Sequence, residues 1–417
     1  MLMTLFTILI SVLLFFFAPF SIHFETVYLV ILFLVGGTVI LLAIIFLFTW
    51  ILIPLEYLEQ KLVPNLIQLV RRDHFLQIER LYLFLFTLLS YLCVAFISRI
   101  ENVNYQDGIF LIWLILFGIA LDVLRDSWRR LANLLNPSYL VSQISNQAEK
   151  AIQNDQRDSL LNDLDSLAEI GLRSVERSKL ALSTQALQAF PPLLKTFFDS
   201  SKSIGHISQD LQEQSNTQGG GDTASFIVFY LLQRLELIND RALRERQETV
   251  CRQMIMILGK IIVYCAQFDL SMVSFPTHFL TKFGLKAQQH HFDEVTVLTT
   301  STLLEIARTI LTEIDLTYAE LQEPFQAIIN GLAAIARATF KKHKDTNIKV
   351  LVQPLVDLKA MFQTEKMSHY QDTPTIIQQI NNVLDEFAVL EQVLQTLPPM
   401  PGMEPPESST TPATPTI

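Results

Sequence analysis

The sequence predicts an all-α protein, four transmembrane helices followed by an irregular cytosolic helical-repeat domain. Three observations carry that prediction. The long apolar runs fall in the first 125 of 417 residues. Downstream, apolar residues recur every three or four positions and rarely alternate. One amphipathic pattern then returns at regular spacing, with Leu167, Leu235 and Leu303 at equivalent positions. Composition agrees, since 50% of the residues are hydrophobic, 29 are Phe and 17% are charged, too apolar a balance for an ordinary soluble chain.

The four apolar runs are Leu2–Phe20, Val27–Ile53, Leu81–Ile97 and Ile109–Leu124. About 20 residues at roughly 1.5 Å each cross a ~30 Å hydrocarbon core. The second run is longer than that and has room to tilt, while the last two sit near the short limit. A signal peptide is the rival reading of the first run. It needs a basic leader, and "MLMTLFTILI" contains no Lys or Arg, so a retained span is expected.

Lys and Arg set the orientation. The first connection, around "SIHFE", has none. Pro54–Arg80 holds Lys61, Arg71, Arg72 and Arg80; the third connection has only Arg99; Arg125, Arg129 and Arg130 follow the last run. Both termini are therefore expected on the cytoplasmic side of a bacterial inner membrane or a thylakoid-like one. The domains expected are a transmembrane part over 1–125, a cytosolic all-α repeat part over 126–397 and a Pro/Ser/Thr-rich tail over 398–417. Seven prolines in that tail preclude a packed core, and an extended, disordered segment with one P-x-x-P, Pro398–Pro401, is expected.

The interiors of the runs carry no ionisable residue, whereas transport and proton relay usually keep one at mid-membrane. Gly36-Gly37 reads as a place where helices approach closely. Two cytoplasmic stretches read as interfacial: Leu55, Leu58, Leu62, Leu66 and Leu69 before Arg71 and Arg72, with Pro64 expected to kink them, and Leu124, Trp128, Leu131 and Leu135 beside Arg125, Arg129 and Arg130. Trp128 suits the headgroup level and the arginines suit snorkelling, so Trp128, Arg125, Arg129, Arg130, Arg71 and Arg72 are the candidate membrane-interface residues. Packing on the cytosolic part is the plainer account of the same stripes.

Residues 1–130 hold 8 Lys/Arg and 9 Asp/Glu, leaving 23 and 32 for the remainder, about −9. That sign argues against nucleic acid as a partner, the local group Lys341, Lys342 and Lys344 notwithstanding. Cys251 and Cys265 lie about 21 Å apart on one predicted helix and cannot bridge, so the cytosolic part suits a reducing compartment.

From Asn136-Pro137 onward helix follows helix. "RDSLLNDLDSLAEIGLRSV" lines Leu160, Leu161, Leu164, Leu167 and Ile170 on one face. A helix over Leu180–Phe190 meets Pro191-Pro192 and should end there. Leu193–Leu211 continues with a break near Gly205, and "QEQSNTQGGGDT" reads as a mobile loop. Phe226–Gln267 reads as two helices meeting near Arg246, followed by Val295–Glu313, Phe325–Phe340, Ile348–Phe362 and Ile376–Leu397. At 68-residue spacing Leu167/Leu235/Leu303, Ile170/Ile238/Ile306, Val175/Leu243/Leu311 and Leu161/Phe229/Val297 coincide. Phe190/Leu258 and Leu193/Ile261 also agree, but Gln326 breaks the third copy. A small stack of helical hairpins is expected. Over Leu160–Phe340 this pattern resembles HEAT-like α-solenoid repeats, with a longer period than usual; the resemblance implies an extended surface for other proteins.

No catalytic, cofactor or metal set stands out. "QHHFDE" places His290 and Glu294 four apart, but a closed metal site needs more ligands, and Asp293 and Glu294 also suit a helix start. Gly219-Gly220-Gly221 lacks the Lys-Ser/Thr of a phosphate cradle, and no H-E-x-x-H, G-x-S-x-G or C-x-x-C occurs. "SVERSK" lacks the S-x-x-K spacing, and the carboxylates Asp163 and Asp165 lie on different faces. The expected function is a membrane-anchored scaffold or adaptor that meets the lipid bilayer and a cytosolic or membrane protein, a second copy of itself included. The alternatives are a subunit of a transport or channel assembly, for which Thr38, Thr49, Thr87, Ser90 and Ser98 are thin material, and a membrane-bound enzyme with dispersed residues.

Overall fold

The computed structural model describes Thr7 and residues 26–61, 74–100, 103–209, 220–316, 320–342 and 347–396. Every regular element among them is helical. The chain forms two compact units, one of Met1–Ser200 with Asp240–Val250, the other of Ser201–Asn239 with Cys251–Ile417.

The first unit begins with three long apolar helices, α1 (Thr26–Lys61), α2 (His74–Ile97) and α3 (Val103–Leu134). They contain the second, third and fourth expected runs, and each is long and apolar enough to cross a membrane. Of the first run, Leu2–Phe20, only Thr7 is among the described residues. Thr7 is buried, and a Cβ on Gly118 of α3 would overlap its side chain.

Helix α1 runs beyond the apolar run to Lys61, with Pro54 inside it. Proline's φ is itself helical, so the ring removes one hydrogen bond, a loss that neighbouring packing tolerates. Leu55, one residue on, is buried and holds that packing. A fourth helix of spanning length and composition, Glu248–Phe268, has 61% of its apolar stretch buried inside the protein, against 28% for the other three. A helix covered by its own chain has little face left for lipid. It belongs to the core.

The helical region proceeds through α4 (Pro137–Gln153), α5 (Arg157–Glu176), α6 (Leu180–Gln188), α7 (Phe190–Gln209), α8 (Gly220–Arg244), α9 (Glu248–Phe268), α10 (Ser274–Gln289), α11 (Asp293–Glu313) and α12 (Gln322–Lys342). Two more, α13 (Ile348–Phe362) and α14 (Thr373–Thr396), close it. Asn136 accepts a hydrogen bond from the Ser138 N–H at the start of α4, with Pro137 at a position where no helical donor is lost. Pro191-Pro192 likewise fall in the first turn of α7, which explains the break at Ala189. Gly205 does not break α7, because one glycine costs a helix only about 1 kcal/mol. The end of the expected loop, Gly220 to Thr223, is instead helical and opens α8, where the N–H groups have no partner in any case; its earlier part, residues 212–219, lies outside the described residues.

The 68-residue period appears in the backbone itself. Helix α5 ends at Glu176, and α8 ends at Arg244, one full period later. Ser178 and Arg246 follow in left-handed conformation, with φ of 54° and 53°. The Lys179 N–H donates to Ser174 O and the Gln247 N–H to Ala242 O, both at 2.9 Å. The tighter-looped bonds Ser178 N–H to Val175 O and Arg246 N–H to Leu243 O match as well. Together these bonds form a Schellman turn, closed by a non-glycine residue. A second such turn recurs at twice the period: Asp155 and His291 have φ of 52° and 65°, with Gln156 N–H to Ala151 O and Phe292 N–H to Ala287 O.

Three helices fall in each stretch, α4–α6, α7–α9 and α10–α12, not the expected hairpin of two, but the middle set is out of register at its start: Phe190 lies 15 residues before the position one period after Pro137, and Thr223, one period after Asp155, is inside α8. That is why the repeat is long. The third copy leaves register after α11, where Ile314 is extended instead of turning. Helix α12 therefore starts late, Gln326 is exposed, and Phe325 and Ile328 take the inward face.

A left-handed residue without glycine costs about 1–2 kcal/mol, and glycine returns about 0.5–1 kcal/mol of that as extra unfolded entropy. Arg246 is exposed, so Arg246→Gly is expected to stabilise the chain by about 0.5–1 kcal/mol and Arg246→Val to destabilise it by ~1 kcal/mol. Denaturant midpoints of the detergent-solubilised protein check this; equal midpoints for both variants would refute the shared turn.

Candidate membrane interface

The seam of α1–α3 is built from small residues meeting large ones. Leu29, Phe33 and Ile40 of α1 pack with Leu83 and Phe86 of α2 and with Phe110 and Trp113 of α3. A Cβ on Gly36 would lie 2.5 Å from Trp113 Cζ2, and one on Gly37 would lie 2.8 Å from Ser90 Cβ. Only glycine admits both neighbours. Trp113 Nε1–H then donates to Ser90 Oγ at 2.9 Å, and Ser90 Oγ donates to Phe86 O at 3.0 Å. Phe33 meets the Trp113 ring edge-on at 5.1 Å and Phe117 stacks on it at 5.2 Å. The tryptophan that locks the helices is thus satisfied inside the seam.

The hydroxyls that a transport path would require are used the same way. Thr87 donates to Leu83 O, and Thr38 donates to Leu34 O while lying 3.3 Å from Tyr91 Oη. The opposite faces are apolar and open, with Trp50, Ile53, Phe75, Phe84 and Ile112 each more than half exposed. Isolated apolar residues are common on soluble surfaces, but a contiguous belt on three helices of membrane length is not.

At the far end of α3 the candidate residues divide. Arg125, Trp128, Arg129 and Arg130 are exposed, while Ser127, Leu131 and Leu134 turn inward. The stripe Leu124, Trp128, Leu131 and Leu135 is therefore not one face: Leu131 packs and Trp128 points out. Glu79, which no sequence pattern singles out, organises this end. It accepts from Ser127 Oγ at 2.7 Å and pairs with Arg130 Nε at 3.2 Å, and the Arg130 guanidinium lies 5.0 Å over the Phe75 ring. Arg71 and Arg72, with Leu62, Pro64, Leu66 and Leu69, lie outside the described residues.

Within the same unit, Arg173 of α5 bonds Glu169 at 2.6 Å, and its Nη1 also donates to Glu59 O at 2.9 Å. That carbonyl belongs to the last turn of α1, where the helix has no internal donor and its dipole favours a cation. A partner 114 residues away leaves no local trace in sequence. Gln247 caps α5 in turn, donating from Nε2 to Val175 O at 2.6 Å.

The second unit gathers its helices on the same device. A Cβ on Gly259 would meet Thr302 at 2.7 Å, one on Gly284 would meet Thr299 at 2.7 Å, and Gly331 receives Thr281. His290 and Glu294 do not share a helix: His290 caps α10 and Glu294 opens α11, with the left-handed His291 between them. Asp293 pairs with Lys342 at 2.8 Å and Glu294 with Arg252 at 3.0 Å. No group of three or more His, Cys, Asp or Glu suited to a metal occurs among the described residues. Burial pushes the Cys265 thiol up to about 12. Burial also raises Glu236, but hydrogen bonds and charge from Lys282 and Lys286 outweigh it and hold that carboxyl below its usual value.

No protein-family model matches the chain, and no curated protein does so at a significant level. A solved circular tandem repeat protein with novel repeat topology and enhanced subunit contact surfaces aligns over 89% of this chain and 98% of its own, at 15% identity and a TM-score of 0.20. A score that low carries no argument.

Gly37→Leu should force α1 and α2 apart and lower stability by about 1–3 kcal/mol, as overpacking does; SDS titration of the micellar protein measures it, and an unshifted midpoint would sink the seam. Cys265 should resist iodoacetamide in the native chain at pH 8 and react once the chain is unfolded. Its folded pKa lies above its unfolded value, so the stability from the neutral thiol is complete below about pH 9 and fades as pH rises toward 12.

Proposed function

We propose that this chain is a multi-pass membrane protein that holds an acidic helical-repeat domain at the cytoplasmic face as a docking scaffold for another protein. The observation that carries the reading is the union, in one compact unit, of three lipid-length helices with the first helices of the repeat region, α1 being capped by Arg173. Such a cap fixes a surface relative to the bilayer plane, which an adaptor needs and a tethered enzyme does not. The seam around Trp113 is apolar and filled, which favours anchoring over conduction. The distribution of Lys and Arg supports cytoplasmic termini. The surface downstream of residue 130 is net negative, which steers it toward basic protein faces and away from phosphate backbones.

A C-terminally tagged full chain, cross-linked in membranes and purified, is expected to carry a protein partner at stoichiometric yield. A lone monomer by native mass, with nothing enriched over a control bait, would refute the scaffold. Single cysteines at Leu2 and Ala413 should both be labelled by an impermeant maleimide only after the cytoplasmic side is opened; labelling of either from outside would overturn the orientation.

A further inference from the structure

One surface of the second unit is unlike the rest. Phe226 and Phe229 of α8 and Phe275 of α10 are each about 40% exposed, at 40%, 41% and 38%. Phe229 and Phe275 touch across the two helices at 5.2 Å, Phe275 continues to Phe279 at 5.1 Å, and Phe226 stacks with Tyr230 at 6.1 Å. Rings of this size normally bury most of their area, and a contiguous exposed set marks a binding surface. Cations border it. Arg234 donates to Tyr230 Oη at 3.0 Å with its guanidinium 4.9 Å over that ring, and Lys282 lies 5.6 Å over Phe279. Lys282 and Lys286 both pair with Glu236, at 2.6 and 2.8 Å, so basic side chains line this rim on a chain whose formal charge is −10.

We propose that this aromatic surface docks the chain's own proline-rich segment, Pro398–Glu407, in cis. Adjacent aromatic rings bind proline-rich backbone well, because pyrrolidine rings lie flat between them and little conformational entropy is left to lose. The segment "PPMPGMEPPE" carries five prolines, two carboxylates at Glu404 and Glu407 and no cation, complementary to a basic rim. It begins two residues after α14 ends at Thr396, and α14, α10 and this part of α8 belong to the same unit. Twenty residues of such chain span about 60 Å at ~3.1 Å each, whereas a body of about 200 residues has a radius of gyration of roughly 16 Å. The tail therefore reaches any point of that unit. Docked there, it covers the surface until a competing proline-rich segment displaces it. The inference goes beyond the scaffold reading, since it is tested with no partner present.

The test uses nanodisc-held chain truncated after Thr396, the full chain, and a fluorescent peptide of residues 397–417. The peptide is expected to bind the truncated chain with a Kd of tens to hundreds of micromolar and the full chain at least tenfold more weakly. Phe229→Ser with Phe275→Ser should weaken binding at least fivefold, and a peptide with Pro398, Pro399, Pro401, Pro405 and Pro406 changed to Ala should bind no better. Arg234→Glu leaves the rings in place and should also weaken binding, which keeps the test valid if the double variant misfolds. Deleting the tail should raise hydrogen exchange in α8 and α10. Equal binding of native and alanine peptides, or unchanged exchange, overturns the proposal. Tail-dependent dimers, with full-chain exchange that falls on dilution, would overturn docking in cis by making the tail of a second copy the occupant.

Discussion

Everything described depends on how closely helices approach at a few glycines. In the seam of α1–α3, Gly36 admits the edge of the Trp113 ring and Gly37 admits Ser90. In the second unit Gly259, Gly284 and Gly331 each admit a threonine from a neighbouring helix. The occupant is a hydroxyl residue in four of these five contacts, and three of these hydroxyls donate to a carbonyl of the occupant's own helix: Ser90 to Phe86 O, Thr281 to Thr277 O, Thr299 to Val295 O. That solves two problems together. The polar atom is satisfied before the helices meet, so burial leaves no orphan, and the remaining methyl or methylene packs like Ala. For α1–α3, which have the length and composition of membrane spans, it would matter more in lipid, where apolar area drives little association and contact distance decides.

The second constraint is at helix ends. A helix end exposes four carbonyls that the helix itself cannot bond. Here the last turn of α1 is met by Arg173, which is itself held by Glu169 four residues back. A charged donor to a helix C-terminus contributes on the order of 1–2 kcal/mol when partly buried, more than the ~0.3–0.5 kcal/mol of an isolated surface pair. One residue therefore does what a flexible linker could not: it makes the orientation of α5 depend on that of α1. The same logic recurs where Gln247 meets Val175 O and Lys366 Nζ meets Leu311 O, at equivalent carbonyls two periods apart.

How much of this was legible in sequence follows from the range of each interaction. Periodicity located α5 to α9 and α11 to α14, because an amphipathic face is a local property. It passed over α10, whose inward face carries Ser274, Thr277, Thr281 and Gln288 and so reads as polar. Ile348–Phe362 was legible to the residue, and Arg246 was placed at a turn by the pattern on either side of it. Gly36-Gly37 announced a close contact but not its partner, since Trp113 stands two helices further along the chain. Glu79 and Arg173 carried no signal at all: each looks like a solvated charge until a carbonyl, a serine or a ring arrives from elsewhere. The interfacial stripe of α3 misled because spacing by three or four cannot distinguish a face turned to the protein from one turned away, and Leu131 and Trp128 fall on different sides of that line.

The repeat shows the limit of apolar matching most clearly. Leucines that coincide at this period could do so by phase alone, since any three amphipathic helices agree often. Backbone conformation is not subject to that ambiguity. Ser178 and Arg246 share no chemistry, yet both adopt the left-handed region at the same point of the period and close the same pair of hydrogen bonds. Asp155 and His291 do so at the other turn, again without glycine. Each such residue costs about 1–2 kcal/mol, so the conformation persists only where the flanking helices impose it. The four left-handed residues therefore mark two turns that recur in backbone conformation, while the packing between them changes: α10 lies against α12 far more extensively than α4 does against α6. The period survives in part of the backbone and fails twice, at Thr223, where α8 runs through the position of the Asp155 turn, and at Ile314, where the chain extends and α12 starts late.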